Sequence, residues 1–192
     1  MAEVLLFHHA CGLTPGVREF AGELERAGHT VHIPDLYEGK VFGSLAEGAA
    51  HARQVGFGTL TGRGRHAAEE LPGGLVYAGF SLGVLPAQYL AQTRAGARGA
   101  LLFEACAPVA EFGGAWPRGV PVQVHGMDGD EFFTGEGDLE AARALVESAE
   151  DAELHLYPGE GHLLADSGLP SYDERAAALL RERVLGFLDR IG

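Results

Sequence analysis

The stretch Gly79-Phe80-Ser81-Leu82-Gly83 has the pattern G-x-S-x-G, which makes Ser81 a candidate nucleophile. A short apolar run (residues 74–78) precedes it, and a helix-like stretch (residues 84–93) follows it. A strand, a sharp turn and a helix form the setting in which this pattern presents a serine hydroxyl above the end of a sheet. An ordinary glycine-flanked turn is the alternative interpretation, so the pattern needs partners elsewhere in the chain.

Two later loops supply candidate partners, because Asp128 and Asp130 follow one apolar run and His162 follows the next. Ser, Asp and His in this order along the chain is the order of an α/β-hydrolase triad. The serine hydroxyl needs a base to remove its proton, and a neutral imidazole such as His162 suits that task. A carboxylate must then orient the imidazole. We favour Asp130, because Asp128-Gly129 is itself a turn dipeptide.

Ester cleavage also needs two N–H groups aimed at the oxyanion of the tetrahedral intermediate. The residue after the nucleophile supplies one of them in this fold class, which indicates the N–H of Leu82. The loop after the first strand supplies the other. Residues 8–12 form that loop, and we predict the N–H of Ala10 as the second donor.

Apolar runs and helix-like stretches alternate along the chain and must position these groups. Thr14 and Asp138 are predicted as N-caps of two of the helices. The pattern predicts one α/β domain over residues 1–192, with a doubly wound, six-stranded parallel sheet. The predicted strands are 4–7, 30–33, 74–78, 100–103, 120–124 and 154–157, and helices are predicted near 15–27, 45–55, 60–71, 84–94, 138–149 and 173–191.

Composition restricts the possible partners of the chain. A formal charge of −13 argues against binding to nucleic acid or to anionic membranes. No apolar run approaches the roughly 20 residues of a membrane span, and no signal peptide is evident. Cys11 and Cys106 do not make a disulfide framework in a chain of this size. We therefore expect a soluble, cytoplasmic protein, and the spacing of its histidines gives no reason to expect a metal or another cofactor.

Nearly the whole chain resembles the dienelactone hydrolase family of α/β-hydrolases. The resemblance is carried by Pro34-Asp35-Leu36-Tyr37, by the Ser81 pattern, by Gly126 to Asp130 and by Pro158-Gly159-Glu160-Gly161-His162. It implies a small α/β-hydrolase fold with a minimal lid or none. It also implies that the triad acid is Asp130 and that Ala10 is the second oxyanion donor.

Three positions depart from the pattern of this family. Ser81 stands where the type enzymes carry cysteine, His9 takes the place of a glutamate that helps to activate that cysteine, and Asp166 takes the place of an arginine that binds the substrate carboxylate. A carboxylate at position 166 is expected to repel an anionic dienelactone. The candidate pocket residues are His9, Cys11, Tyr37, Glu104, Trp116, Phe132 and Asp166.

Each pocket residue also has a structural interpretation. His9 and Glu104 could be hydrogen-bonded structural groups, Cys11 a small buried residue, and the aromatic side chains part of the core. The function predicted from sequence is a serine hydrolase, monomeric or homodimeric, that cleaves a small ester, lactone or thioester. The alternatives are a non-catalytic binding protein of the same fold and an acyltransferase that uses the same triad.

Overall fold

Short apolar runs form the strands of this chain, and longer stretches with one apolar face form the helices between them. The computed structural model describes residues 1–192. The strands are β1 (Glu3–Phe7), β2 (Thr30–His32), β3 (Val76–Phe80), β4 (Gly99–Phe103), β5 (Val122–Met127) and β6 (Ala152–Tyr157). The helices are α1 (Pro15–Arg26), α2 (Leu45–Val55), α3 (Phe57–Glu69), α4 (Val84–Thr93), α5 (Glu131–Gly135), α6 (Asp138–Ser148) and α7 (Glu174–Ile191).

All six strands are parallel and lie in the order β2-β1-β3-β4-β5-β6. The chain first winds outward from β1 to β2 and then crosses back to β3. The sheet therefore reverses its direction of winding between β1 and β3, as a doubly wound sheet does, and this confirms the predicted fold class. Ligands of open α/β sheets bind beyond the carboxyl ends of the strands at such a reversal.

Alternate side chains of β1 point into two separate cores. Leu5 and Phe7 belong to one cluster, which α2, α3, α4 and α6 cover. Val4 and Leu6 belong to the other, which α1 and α7 cover. Because both faces are covered, the central strands are apolar throughout rather than alternating.

Two strands extend further at their carboxyl ends than their sequences indicate. β3 continues through Gly79 and Phe80, because these residues pair with Leu102 and Phe103 of β4. β5 continues to Met127, so the His125 ring lies inside the sheet rather than in the following loop. That ring is fully buried, with hydrogen bonds to Tyr157 and Gln123.

One of the two predicted helix caps is confirmed and the other is wrong. The Thr14 hydroxyl accepts the Val17 N–H at 3.2 Å, which gives α1 its N-cap. Asp138 is the first residue of α6, and Gly137 occupies the cap position. The Asp138 carboxylate instead accepts the N–H of Cys106 at 2.7 Å, because the chain after β4 passes close to this helix.

The stretch between β2 and β3 forms two helices, of which α2 lies on the loop after β1 and α3 packs on one face of the sheet. α2 has the predicted bounds, whereas α3 begins at Phe57. A Cβ atom at Gly48 would collide with the Ala10 carbonyl, so this glycine lets α2 lie directly on the loop after β1. None of the seven helices combines the length and the apolar composition of a membrane span.

Candidate active site

Ser81 lies at the sharp turn between β3 and α4 and has a left-handed backbone with φ of 47°. Such a conformation is costly for a residue with a Cβ atom and persists only where the surroundings enforce it. Two close backbone approaches enforce it here. A Cβ atom at Gly79 would strike the Gly83 carbonyl, and one at Gly83 would lie 2.5 Å from the carbonyl oxygen of Phe7. Both glycines of the pattern are therefore required by packing.

Ser81, His162 and Asp130 form one hydrogen-bonded chain. The Ser81 Oγ lies 2.8 Å from Nε2 of His162, and the other ring nitrogen, Nδ1, lies 2.6 Å from Oδ2 of Asp130. A carboxylate only accepts hydrogen bonds, so Nδ1 carries the proton and Nε2 is free to accept the serine O–H. The three residues follow β3, β6 and β5 respectively.

The surroundings of His162 change its basicity. Burial by itself lowers the pKa of His162, but the hydrogen bond that its ring donates to Asp130 and the nearby charges of Glu104 and Asp138 outweigh burial. The net result is a pKa above the usual 6.5. The ring is therefore a stronger base than a free histidine, as a residue that must take a proton from serine should be.

Asp130 rather than Asp128 reaches the histidine. Asp130 is fully buried, and its Oδ1 accepts the Phe132 N–H at 3.0 Å, which caps α5 and fixes the carboxylate. Asp128 is exposed and accepts the Gly159 N–H at 3.2 Å, so it ties the loop after β5 to the loop after β6.

An open cleft of about 330 Å³ lies above Ser81 and is lined by His162, Ala10 and Leu82. A second cavity of about 400 Å³ adjoins it and shares His162 and Phe132 as lining residues. A larger groove of about 530 Å³ lies elsewhere, between the loop after β2 and α3, and none of the Ser81, His162 and Asp130 side chains lines it. The cleft above Ser81 is thus the candidate active site.

The loop after β1, residues 8–12, contributes its backbone to this cleft and is called the β1 loop below. The Ala10 N–H donates no hydrogen bond within the chain. Leu82 is the second residue of a 3-10 turn, where N–H groups lack partners inside the turn. Both predicted oxyanion donors thus line the same cleft as Ser81.

His8 fixes the start of the β1 loop from below. Its Nδ1–H donates to the His9 carbonyl at 2.8 Å, and its Nε2 accepts the Leu36 N–H at 3.0 Å. Burial lowers the pKa of His8 to about 4, so the ring is neutral and accepts at Nε2. The Tyr37 ring packs edge-on against it with centroids 4.9 Å apart. The Pro34–Tyr37 motif therefore supports the β1 loop.

His9 and Asp166 do not line the cleft above Ser81, because their side chains bind each other beneath it. His9 Nε2 lies 2.8 Å from Oδ2 of Asp166, and its Nδ1 accepts the Cys11 N–H at 3.2 Å. The same Oδ2 accepts the Thr14 hydroxyl at 2.5 Å. Burial by itself raises the pKa of Asp166, but hydrogen bonds from His9, Thr14 and Gly168 lower it overall. Asp166 is therefore an ionised internal anchor and not a group that repels substrate.

Three other predicted pocket residues lie outside the cleft above Ser81. Tyr37 is fully buried in the core, with its hydroxyl 3.4 Å from the Gly48 carbonyl. Trp116 is also in the core, and its Nε1–H donates to the Val120 carbonyl near the amino end of β5, away from Ser81. Cys11 is buried and lines only the adjoining cavity. The sequence alone does not indicate in which direction an aromatic or sulfur side chain in a loop points.

Glu104 and Phe132 do line the cleft. Glu104 follows β4 with φ of 62°, and its Oε1 accepts the Leu164 N–H. Its Oε2 is buried and has no hydrogen-bond partner. Burial raises the pKa of Glu104 to about 7, despite the opposing charge of His162.

Sequence reasoning missed several residues of the cleft. Glu136 in the α5–α6 connection and Asp138 at the start of α6 line it, and α2 contributes an apolar wall that includes Leu45 and Ala49. The apolar spacing of α2 gives its helical character but not the direction of its exposed face, and no motif marks the two acids.

Comparisons with known proteins agree with this architecture. The model of the dienelactone hydrolase family matches residues 1–192. A dienelactone hydrolase-like promiscuous phosphotriesterase from metagenomic libraries is 20% identical, with a TM-score of 0.69 over 100% of this chain and 87% of that one. Dienelactone hydrolase from Anabaena variabilis is 16% identical, with a TM-score of 0.63 over 100% and 87% of the two chains.

Esterase 2 of Thermogutta terrifontis is 18% identical, with a TM-score of 0.62 over 100% of this chain and 83% of that one. At these identities the structural likeness establishes the α/β-hydrolase fold. No curated protein matches the chain.

Proposed function

We propose that this chain, which belongs to the dienelactone hydrolase family and is a hydrolase acting on esters, cleaves small carboxylic esters, lactones or thioesters with Ser81 as its nucleophile. The observation that carries the proposal is the hydrogen-bonded chain from Ser81 through His162 to Asp130, with distances of 2.8 and 2.6 Å. Both distances are within the range that proton transfer requires.

In the first half of the reaction, His162 Nε2 takes the proton of Ser81 while Oγ bonds to the substrate carbonyl carbon. The carbonyl electron pair moves onto oxygen, and the N–H groups of Leu82 and Ala10 stabilise the resulting oxyanion. Asp130 stabilises the imidazolium through Nδ1. When the intermediate collapses, the bond to the leaving group breaks, and Nε2 returns the proton to the leaving oxygen or sulfur.

In the second half, water replaces the leaving group. His162 Nε2 takes a proton from the water while the water oxygen attacks the acyl carbon bound to Ser81. Collapse of this second intermediate breaks the bond to Oγ, and Ser81 recovers its proton from Nε2. The acid product leaves and the resting protein is restored.

The geometry favours this reaction over a non-catalytic role for the fold. A binding protein has no need for a strained serine at φ 47° whose hydroxyl contacts a base of raised pKa. Such strained conformations and shifted pKa values concentrate at catalytic sites. Transfer of the acyl group to an acceptor other than water uses the same residues, and product analysis with added alcohols or amines distinguishes it from hydrolysis.

A panel of esters, lactones and thioesters, including p-nitrophenyl acetate, tests the proposal. We expect wild-type turnover of at least one class, and a loss of about 10³-fold or more in kcat/KM for Ser81→Ala. Ser148→Ala is the matched control, because Ser148 lies at the end of α6 and bonds only the Leu145 carbonyl. Turnover that is equal in wild type and Ser81→Ala contradicts the proposal.

A further inference from the structure

The walls of the cleft above Ser81 carry an uneven distribution of charge. Three carboxyl groups line it, from Glu104, Glu136 and Asp138, whereas Arg53 on α2 supplies the one lysine or arginine side chain. The adjoining cavity adds Glu160 and no lysine or arginine. Arg53, Glu136 and Glu160 are all exposed, so solvent and salt screen their charges, whereas Glu104 is buried and Asp138 is half-buried. Glu104 and Asp138 therefore dominate the field inside the cleft.

Glu104 is the acid that distinguishes this wall from an ordinary acidic surface. It is only 2% exposed, and its Oε2 has no hydrogen-bond partner within the chain. A buried carboxyl oxygen without a partner costs free energy unless another group binds it. Its Oε1, by contrast, is held by the Leu164 N–H, so the side chain is fixed in place. Glu104 therefore holds a carboxyl group at the buried base of the cleft wall, where little solvent screens its effect on a group that enters the cleft.

Asp138 is the second acid of this wall, and its charge helps to raise the pKa of His162. Its Oδ1 accepts the Cys106 N–H at 2.7 Å, which holds the carboxylate at the start of α6. Glu136 is exposed at the mouth of the cleft. The three acids thus run from the buried base of the wall to its solvent edge.

Two aromatic rings complete the mouth of the cleft. Phe57 and Phe132 both line it, and each is 49% exposed. Exposed aromatic rings beside carboxylates attract organic cations, because the ring face adds a cation–π attraction to the charge of the acids. An apolar body with an ammonium group matches both kinds of surface.

We propose that the site is specific for esters that carry a positive charge or are neutral, and that it rejects esters that carry an anionic group, with Glu104 and Asp138 as the residues that discriminate between them. The inference rests on the proposed function, since it names the substrate class of the same site. Asp166 binds His9 and Thr14 beneath the cleft, so it does not repel an anionic lactone. The acids that line the cleft would repel such a substrate instead.

Esters of closely matched size and different charge test the inference at pH 8. On the alcohol side we choose the acetates of choline, 3,3-dimethylbutanol and isethionate, which are cationic, neutral and anionic. On the acyl side we choose the p-nitrophenyl esters of 4-(trimethylammonio)butyrate, 5,5-dimethylhexanoate and 4-sulfobutyrate. Using both sets covers either orientation of the substrate in the cleft.

The measured quantity is the ratio of kcat/KM for the cationic ester to that for the anionic ester, within one protein. In wild type we expect this ratio to reach about tenfold or more in at least one set, on the scale of one partly screened ion pair. Glu104→Gln and Asp138→Asn should each lower it by about threefold, and the double variant by more. A general effect of either change on His162 cancels in the ratio.

Glu140→Gln is the control, because Glu140 is an exposed acid of α6 that does not line the cleft. It changes the net charge equally and should leave the ratio unchanged. Glu136→Gln, at the exposed mouth of the cleft, is a third test variant. It should also lower the ratio, and folding should be unaffected because the side chain is exposed. Equal or better turnover of the anionic ester in both sets overturns the inference, and so does a ratio that survives in the double variant.

The same assay separates this inference from the proposed function. Turnover of the neutral esters that depends on Ser81, without any charge preference, overturns the inference and supports the proposed function. Absence of any Ser81-dependent turnover contradicts the proposed function, and the inference fails with it.

Discussion

Nε2 of His9 lies 2.8 Å from Oδ2 of Asp166, and this buried contact joins the β1 loop to the loop that carries His162. Ala10 follows His9 directly, and Asp166 stands four residues after His162. A Cβ atom at Gly16 would collide with the Asp166 carboxylate, so α1 also packs tightly on this contact. The contact therefore positions the proposed oxyanion donor relative to the proposed base.

The first prediction concerns the stability that this contact provides. Asp166→Asn should lower the free energy of unfolding by about 1–3 kcal/mol at pH 7, since it weakens buried charged hydrogen bonds. The folded pKa of Asp166 is below its usual 3.8, so this stability is present above 3.8 and is lost as the pH falls through the lower, folded value. Urea unfolding at pH 7 and pH 3 measures the difference, which should be smaller at pH 3.

The control for this prediction is Glu140→Gln, because Glu140 is an exposed acid of α6 that forms no ion pair. It should change the unfolding free energy by less than about 0.5 kcal/mol at either pH. An Asp166→Asn protein as stable as wild type at pH 7 would show that the buried contact is not a stabilising anchor.

The second prediction concerns pH and His162. The proposed base works only as a neutral ring, so kcat/KM should rise with pH through an apparent pKa above 6.5. Asp130→Asn removes a group that raises the pKa of His162, while burial, which lowers it, remains. The variant should therefore have a lower apparent pKa and a kcat reduced by about 10²–10⁴-fold.

Glu104 and His162 shift each other's pKa, so the apparent pKa of the pH–rate profile reflects both groups. Glu104→Gln should therefore also lower this apparent pKa. A profile that is the same in wild type and in both variants is inconsistent with His162 as the base.

The third prediction concerns the elbow glycines. Gly83→Ala places a Cβ atom 2.5 Å from the Phe7 carbonyl oxygen and 2.7 Å from that of His8. Backbone cannot move aside cheaply, so we expect a loss of about 2 kcal/mol or more and a large loss of turnover. Gly186→Ala on α7 meets no atom within 4 Å and should instead gain about 0.5–1 kcal/mol, from helix propensity. Thermal unfolding of the two variants side by side decides whether close packing sets the role of Gly83.

The fourth prediction separates a serine nucleophile from a cysteine one. Burial raises the pKa of the Cys11 thiol to about 11 and that of Cys106 to about 12. Neither forms a thiolate at pH 8, so both should be inert in the native protein. Iodoacetamide should leave ester turnover unchanged and modify the two cysteines only after unfolding. Rapid inactivation of the native protein by this reagent would point to a cysteine in the reaction.

Much of the fold and the candidate site is predictable from sequence because both depend on local signals. The apolar runs indicate the strands, and Thr14-Pro15 indicates the start of α1. Asp128-Gly129 indicates a turn, which leaves Asp130 to face His162. These features need only backbone preferences and chain order, and the structure brings Ser81, Asp130 and His162 together accordingly.

The rest depends on the directions of side chains in loops, which no local pattern encodes. His9 and Asp166 are 157 residues apart, and only the folded sheet shows that each satisfies the other. Trp116 has an aromatic side chain suited to a pocket, but its N–H finds a carbonyl in the core. Glu104 adopts a positive φ that its residue type does not suggest. The acidic wall is likewise a product of tertiary packing.

Covalent labelling of Ser81 tests the central claim most directly. Wild type, Ser81→Ala and Ser148→Ala are treated with a fluorophosphonate, digested with trypsin and analysed by mass spectrometry. Ser81 is the only serine in the tryptic peptide covering residues 66–94. We predict one adduct per chain on this peptide in wild type and Ser148→Ala, and none in Ser81→Ala. A folded wild-type protein that remains unlabelled on this peptide, or that is labelled equally in Ser81→Ala, contradicts the claim that Ser81 is the nucleophile.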